Sequence, residues 1–225
     1  MILGTVFHVA TACVIATSSA GVVGGQVVQR SRDALTSSNT LFGPTGLINV
    51  PTAYVTQHGK VQFSTSFGED IRGPAANYGI TPGVEIGGAF IDREGRKNKG
   101  IANAKVNIVP ANFDFFEVGV GVIDAADAIT RTYYVIGSAD FAIPRAVEDR
   151  AIGFRLHFGA GTGMFEDEFI FGGELQLDPK FSIIGEYDAK DFNGVLRYSH
   201  DRNFRVQAGV QGAELFLGAT YLLEF

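Results

Sequence analysis

The chain has one cysteine in 225 residues, Cys13, together with no tryptophan and four histidines. Cys13 lies in an N-terminal apolar stretch, so everything after it is thiol-free, which excludes disulfide bracing and cysteine-held metal there. Strong charge of one sign is also missing. Lys and Arg number 18 against 24 Asp and Glu, a net charge of −6, and the basic residues are scattered. Such a chain has no electrostatic footprint for nucleic acid. Long apolar runs are confined to the start. Ile2 to Ala20 contains no Asp, Glu, Lys or Arg, and nothing later approaches the roughly 20 apolar residues of a membrane helix. That first stretch is rich in Ala, Thr and Ser and ends in Thr17-Ser18-Ser19-Ala20. Small residues there suit signal-peptidase cleavage near Ala20, so residues 1–20 are expected to be a signal peptide and not an anchor.

What the chain has in quantity is glycine and phenylalanine, 29 and 19 residues. Glycine disfavours helix interiors, whereas Phe, Tyr, Val and Ile suit pleated strands. Residues 21–40 carry no steady period and are expected to form a flexible lead-in. Residues 41–59, rich in Pro and Gly turns, are expected to lead into the barrel or plug its mouth. From Gly59 onward, segments of about 8–11 residues alternate in polarity between turn residues, the pattern of membrane strands. Twelve strands are predicted: 60–68, 74–80, 83–92, 100–109, 114–124, 131–142, 150–160, 168–178, 181–189, 191–199, 204–211 and 214–225. Ile152, Phe154, Leu156 and Phe158 share a face opposite Gly153, Arg155, His157 and Gly159. Phe204, Val206, Ala208 and Val210 likewise oppose Arg205, Gln207, Gly209 and Gln211.

The fold class predicted is all-β: a single antiparallel up-and-down transmembrane β-barrel of about twelve strands, residues 60–225. With no spanning helix, only a closed barrel pairs every backbone group within a bilayer. A soluble lipocalin-like barrel would show similar local alternation, but twelve strands are more than such a cavity needs. In the last strand Leu215, Leu217, Ala219, Tyr221, Leu223 and the terminal Phe225 share one phase. An oily face with an aromatic final residue resembles the closing strand of outer-membrane barrels, with Tyr221, Leu223 and Phe225 as the barrel-assembly signal. The expected location is the cell outer membrane, and the expected partners are outer-membrane lipid and the barrel-assembly machinery. Four of the five joints on the presumed periplasmic side contain proline and are short. The other side has longer joints in the first half only.

Two stretches resemble a known group. Thr40-Leu41-Phe42-Gly43-Pro44-Thr45-Gly46-Leu47-Ile48-Asn49-Val50-Pro51-Thr52-Ala53, followed by His58-Gly59-Lys60, is the first. The second runs from Phe158-Gly159-Ala160-Gly161 through Phe171-Gly172-Gly173-Glu174 to Gly185-Glu186-Tyr187-Asp188 and Val195-Leu196-Arg197-Tyr198. Together they resemble the YjbH-like outer-membrane β-barrel proteins. The resemblance implies a non-enzymatic barrel that assists exopolysaccharide export or surface assembly, with polysaccharide or export proteins as further partners. The other functional expectation is a small passive pore or purely structural barrel with no carbohydrate role.

Alternation turns Glu85, Lys105, Glu117, Arg155, His157, Glu174, Glu186, Asp188, Arg197 and Arg205 toward the lumen. They suit either ion pairs that brace a narrow barrel or the lining of a polar conduit. Mixed signs at close range favour pairing, since no single-sign ring selects a solute. Glu186 and Asp188 with Asp191 fall short of the converging oxygens of a calcium loop. Ser199-His200 and His157 lack the orienting third group of a nucleophilic site. Gly43-Pro44-Thr45-Gly46 lacks the Lys and following helix of a phosphate loop. No catalytic residue, metal or cofactor is therefore expected.

Overall fold

The structure, a computed structural model, describes residues 38–68, 71–93, 95–108, 116–144, 151–178, 180–201 and 203–224. The expected signal peptide, the lead-in as far as residue 37, the joint at Pro110 and the terminal Phe225 lie outside the described residues.

Two short strands come first, β1 (Ser38–Asn39) and β2 (Thr45–Gly46), paired with each other. Twelve longer strands follow: β3 (Lys60–Phe67), β4 (Ile71–Thr81), β5 (Val84–Arg93), β6 (Lys99–Ile108), β7 (Phe116–Ile123), β8 (Thr132–Pro144), β9 (Ala151–Gly161), β10 (Glu168–Gln176), β11 (Phe181–Tyr187), β12 (Phe192–Ser199), β13 (Phe204–Gln211) and β14 (Glu214–Glu224). Each is antiparallel to the next, and β14 closes the ring onto β3 over eight register pairs, from Glu224↔Lys60 to Leu217↔Phe67. The result is a closed up-and-down barrel with no free edge. Each strand agrees with its predicted span to within three residues. The largest difference is at β4, which starts at Ile71 and not at Pro74, so that the proline lies within the strand opposite Thr65.

Alternation decides which way each side chain points. On β9 Leu156 and Phe158 are 45% and 59% exposed while His157 between them is buried. On β13 Phe204 and Val206 are exposed while Arg205 and Gln207 are buried. Aromatic residues concentrate toward both rims of the outer face. Phe141–Phe154 and Phe181–Tyr198 pack near the end where β3 starts and β14 stops, called here the terminal end. Phe158–Phe169, Phe171–Tyr187 and Tyr187–Phe192 pack near the other, distal end. A belt of exposed Phe, Leu, Ile and Tyr, drawn from every strand of the wall but β7, is a lipid-facing surface, flanked by the aromatic girdles of a membrane barrel. A soluble lipocalin-like barrel would turn that face inward.

The interior is stratified, which the alternation did not foretell. Toward the distal end the inner face is apolar: Ile91, Ile101, Ile123, Tyr134, Ile136, Ile170 and Phe216 are all buried. Toward the terminal end it is charged and polar, with Glu85, Lys105, Glu117, Glu174, Arg197 and Arg205 buried.

Candidate functional site

Residues 38–56 lie inside the barrel. Their hydrogen-bond partners come from β3, β5, β6, β8, β11 and β14, and a segment that reaches so many sectors of a closed wall can only be within it. Ser38, Asn39 and Thr40, assigned to the lead-in on sequence, belong to this inner segment and are buried. From Leu41 to Ala53 every residue is likewise buried.

A buried loop has peptide groups that need partners. Here the wall supplies them from side chains. Glu186 is the clearest case. Its carboxylate accepts the backbone N–H groups of Ile48 at 2.9 Å, Asn49 at 2.7 Å and Val50 at 3.1 Å, and the amide of Asn193 at 3.1 Å. Glu85 does the same for a second turn, accepting Thr45 N–H at 2.9 Å, Thr45 Oγ1 at 2.5 Å and Thr56 N–H at 2.7 Å. Lys105, opposite Glu85 in the register and 3.1 Å from it, donates to the carbonyls of Thr45 and Thr52 at 2.7 and 3.2 Å. Amides complete the cradle: Asn77 donates to Gly43 O, Asn103 to Phe42 O, and Asn107 to Ala53 O and Glu117. Ser138 Oγ accepts Ala53 N–H at 2.8 Å and lies 2.8 Å from His157 Nδ1.

Apolar contact secures the upper half. Leu47 and Ile48 pack with Ile184, Val195 and Phe216, and Leu41, Phe42 and Val50 join the larger distal cluster. Two wall glycines make the approach possible. A Cβ on Gly119 would stand 2.8 Å from Ala53 Cα, and one on Gly172 would stand 2.3 Å from Leu47 Cδ1.

The remaining predicted residues lie lower in the lumen or at the rim. Arg155 Nε is 3.0 Å from Asp140, its neighbour across β8–β9, and the guanidinium stands over the Tyr54 ring at 5.2 Å. The Tyr54 hydroxyl donates to the same Asp140. Glu174 lies 3.5 Å from Arg197 and accepts Ser182 Oγ at 2.8 Å. Arg205 is buried one residue into β13. Asp188 stands past the end of β11, where its Oδ2 accepts Asn49 Nδ2 at 2.6 Å. The Lys105–Glu85, Arg155–Asp140 and Arg197–Glu174 pairs thus join adjacent or next-but-one strands, and the inner segment occupies the middle of the lumen. Above it, Phe42 and Asn49 floor a distal cup of about 310 Å³ whose rim includes Asp188, Lys190, Gln211 and Glu214. Tyr221 and Leu223 point outward on β14.

Sequence reasoning missed the inner segment's partners Asn77, Asn103, Asn107 and Ser138, and also Asn193, which donates to Glu186. A signal existed: amides at inward phase on three strands are matched to peptide groups better than to water or ions.

A closed antiparallel wall, an apolar belt with aromatic girdles and a polar-lined interior define an outer-membrane β-barrel. No protein-family model matches this chain, and no curated protein does. Among solved structures it is similar to the KdgM porin, at 12% identity over 74% of this chain and 99% of that one, with a TM-score of 0.47. Omp33 of Acinetobacter baumannii has the same identity and TM-score over 74% and 97% of the two chains. The N-terminal barrel domain of Pseudomonas aeruginosa OprF stands at 8% identity and a TM-score of 0.26, over 75% and 100%.

Proposed function

We propose that this chain is a non-enzymatic outer-membrane barrel whose own N-terminal segment plugs the lumen at rest. This is the structural or small-pore reading of the sequence in place of polysaccharide passage. One observation carries it: residues 41–53 are buried inside the ring, with Glu85 and Glu186 holding their backbone. A glycan thread would need that same volume. An enzymatic reading finds little support. Ser138 and His157 do meet, but both are buried beneath the segment, and Tyr54 stands edge-on to the imidazole at 5.9 Å. Recordings on the purified protein in planar bilayers test the reading. We expect a sealed baseline at low voltage, and a continuously open channel would refute it.

The exopolysaccharide role of the YjbH-like proteins remains a second reading, favoured by one coincidence. Gly43 to Ala53, which carry that resemblance, are the residues held by the wall. On this reading the barrel serves surface assembly and conducts nothing. Deletion would then lower surface polysaccharide with permeability unchanged. We further assign Tyr221, Leu223 and Phe225 to recognition by the barrel-assembly machinery. Replacing all three by Ser should leave the chain unassembled in the periplasm.

A further inference from the structure

The inner segment is attached in a way that leaves the barrel complete without it. Among the described residues its backbone pairs with the wall's sheet only at the isolated bridge His58↔Gly79. Its remaining wall contacts are side-chain hydrogen bonds and apolar packing. Meanwhile β3 to β14 make their full ladder with one another, the seam included. Departure of the segment would therefore break no strand-to-strand hydrogen bond.

It would expose groups that water can satisfy. Glu85, Lys105, Asn77, Asn103, Asn107 and Glu186 all release peptide partners, and each is strongly hydrated when free. Opposing this is the apolar distal layer, where Leu41, Leu47, Ile48 and Val50 would lose their contacts. A few strong polar anchors and a limited apolar contact make a two-position element, and the tether at His58–Lys60 keeps the segment attached in both positions.

We propose that this protein conducts conditionally: residues 38–56, with the β1–β2 pair kept intact, swing out of the lumen as a unit and open an aqueous path for small hydrophilic solutes and ions. The claim rests on the barrel being sealed at rest and adds that the seal is reversible. The open wall would present Glu85, Glu117, Asp140, Glu174 and Glu186 against Lys105, Arg155, Arg197 and Arg205. Near balance of sign predicts little discrimination between cations and anions.

The full-length protein in planar bilayers decides the matter. Glu186→Gln keeps the size of the side chain and removes the charge that three N–H groups share. Hydrogen bonds to a charged group are worth about 1.5–3 kcal/mol, so openings should become about ten- to a hundredfold more frequent. Thr45→Val, acting on the Glu85 anchor, should move the same way by a smaller factor. A lock is then added. Leu47 and Gly172 lie close enough for Leu47→Cys/Gly172→Cys to form a disulfide, and Cys13 is the chain's sole native thiol. Oxidation of that pair in the Glu186→Gln background should abolish the openings, and reduction should restore them. Two results overturn the proposal. One is a folded Glu186→Gln and a folded Thr45→Val that open no more often than the parent. The other is openings that persist when mass spectrometry shows the lock complete. A parent protein that is open throughout would instead refute the sealed resting state itself.

Discussion

At the scale of the residue, the lumen depends on charges that each serve two neighbours. Lys105 meets Glu85 across the strand pair and two carbonyls of the inner segment, so removing it strands a buried carboxylate. Lys105→Met is expected to destabilise the barrel by about 3–5 kcal/mol, whereas Lys105→Met combined with Glu85→Gln should cost less than the single change. Urea unfolding in detergent micelles measures both. Gly119→Val drives a side chain against Ala53 Cα, and such overpacking should lower stability by about 1–3 kcal/mol in the same assay. The direction of these side chains was legible because alternation dictates it, and Arg155, Glu174 and Arg205 do face inward. What stood opposite them was not legible. A period of two says which face a residue is on and nothing of what the face meets, so pairing between charges was expected where much of the bonding goes to peptide groups. The inward Ile136, Ile170 and Phe216 escaped for a related reason. Apolar residues on the inner phase look like lapses in the pattern until something apolar is found inside to meet them.

At the scale of the element, three tight joints share one device. Asp178, Asp188 and Asp201 each accept the N–H groups two and three residues on, closing an Asx-type turn. For Asp201 those two bonds, from Asn203 and Phe204, hold the carboxyl below the usual Asp range. The support to that turn is therefore present at neutral pH and lost as pH falls through the lowered value. Asp201→Asn should remove this acid sensitivity from exchange of the Phe204 amide. The β13–β14 joint uses another device: Gly212 and Ala213 both have positive φ, 57° and 70°, the two-residue turn that matches strand twist. Ala213→Gly should stabilise the barrel by about 1 kcal/mol, the relief of a left-handed alanine less the added chain entropy of glycine. Strand positions were readable because turn residues and polarity agree at nearly every joint. The bridge between Ser38–Asn39 and Thr45–Gly46 was not, since two residues are too few to show a period.

At the scale of the molecule, closure was foreseeable from strand number and the absence of a spanning helix, while the contents of the lumen were not. Heat-modifiable gel migration checks the first: unboiled protein should run faster than boiled protein, and a shift should be absent in a chain that fails to close. The seam adds a matter of timing. The inner segment is synthesised ahead of β3, and the ring is shut by β14, the last of its twelve strands in chain order. Ile48 and Glu186 stand 138 residues apart in the chain, and Ser38 and Thr220 are separated by 182. A rope already lying in the hoop when the hoop is fastened needs no later threading. Biogenesis must then gather the segment early, so a chain that shuts with it outside would be trapped as a hollow isomer that differs from the native one in history and not in sequence.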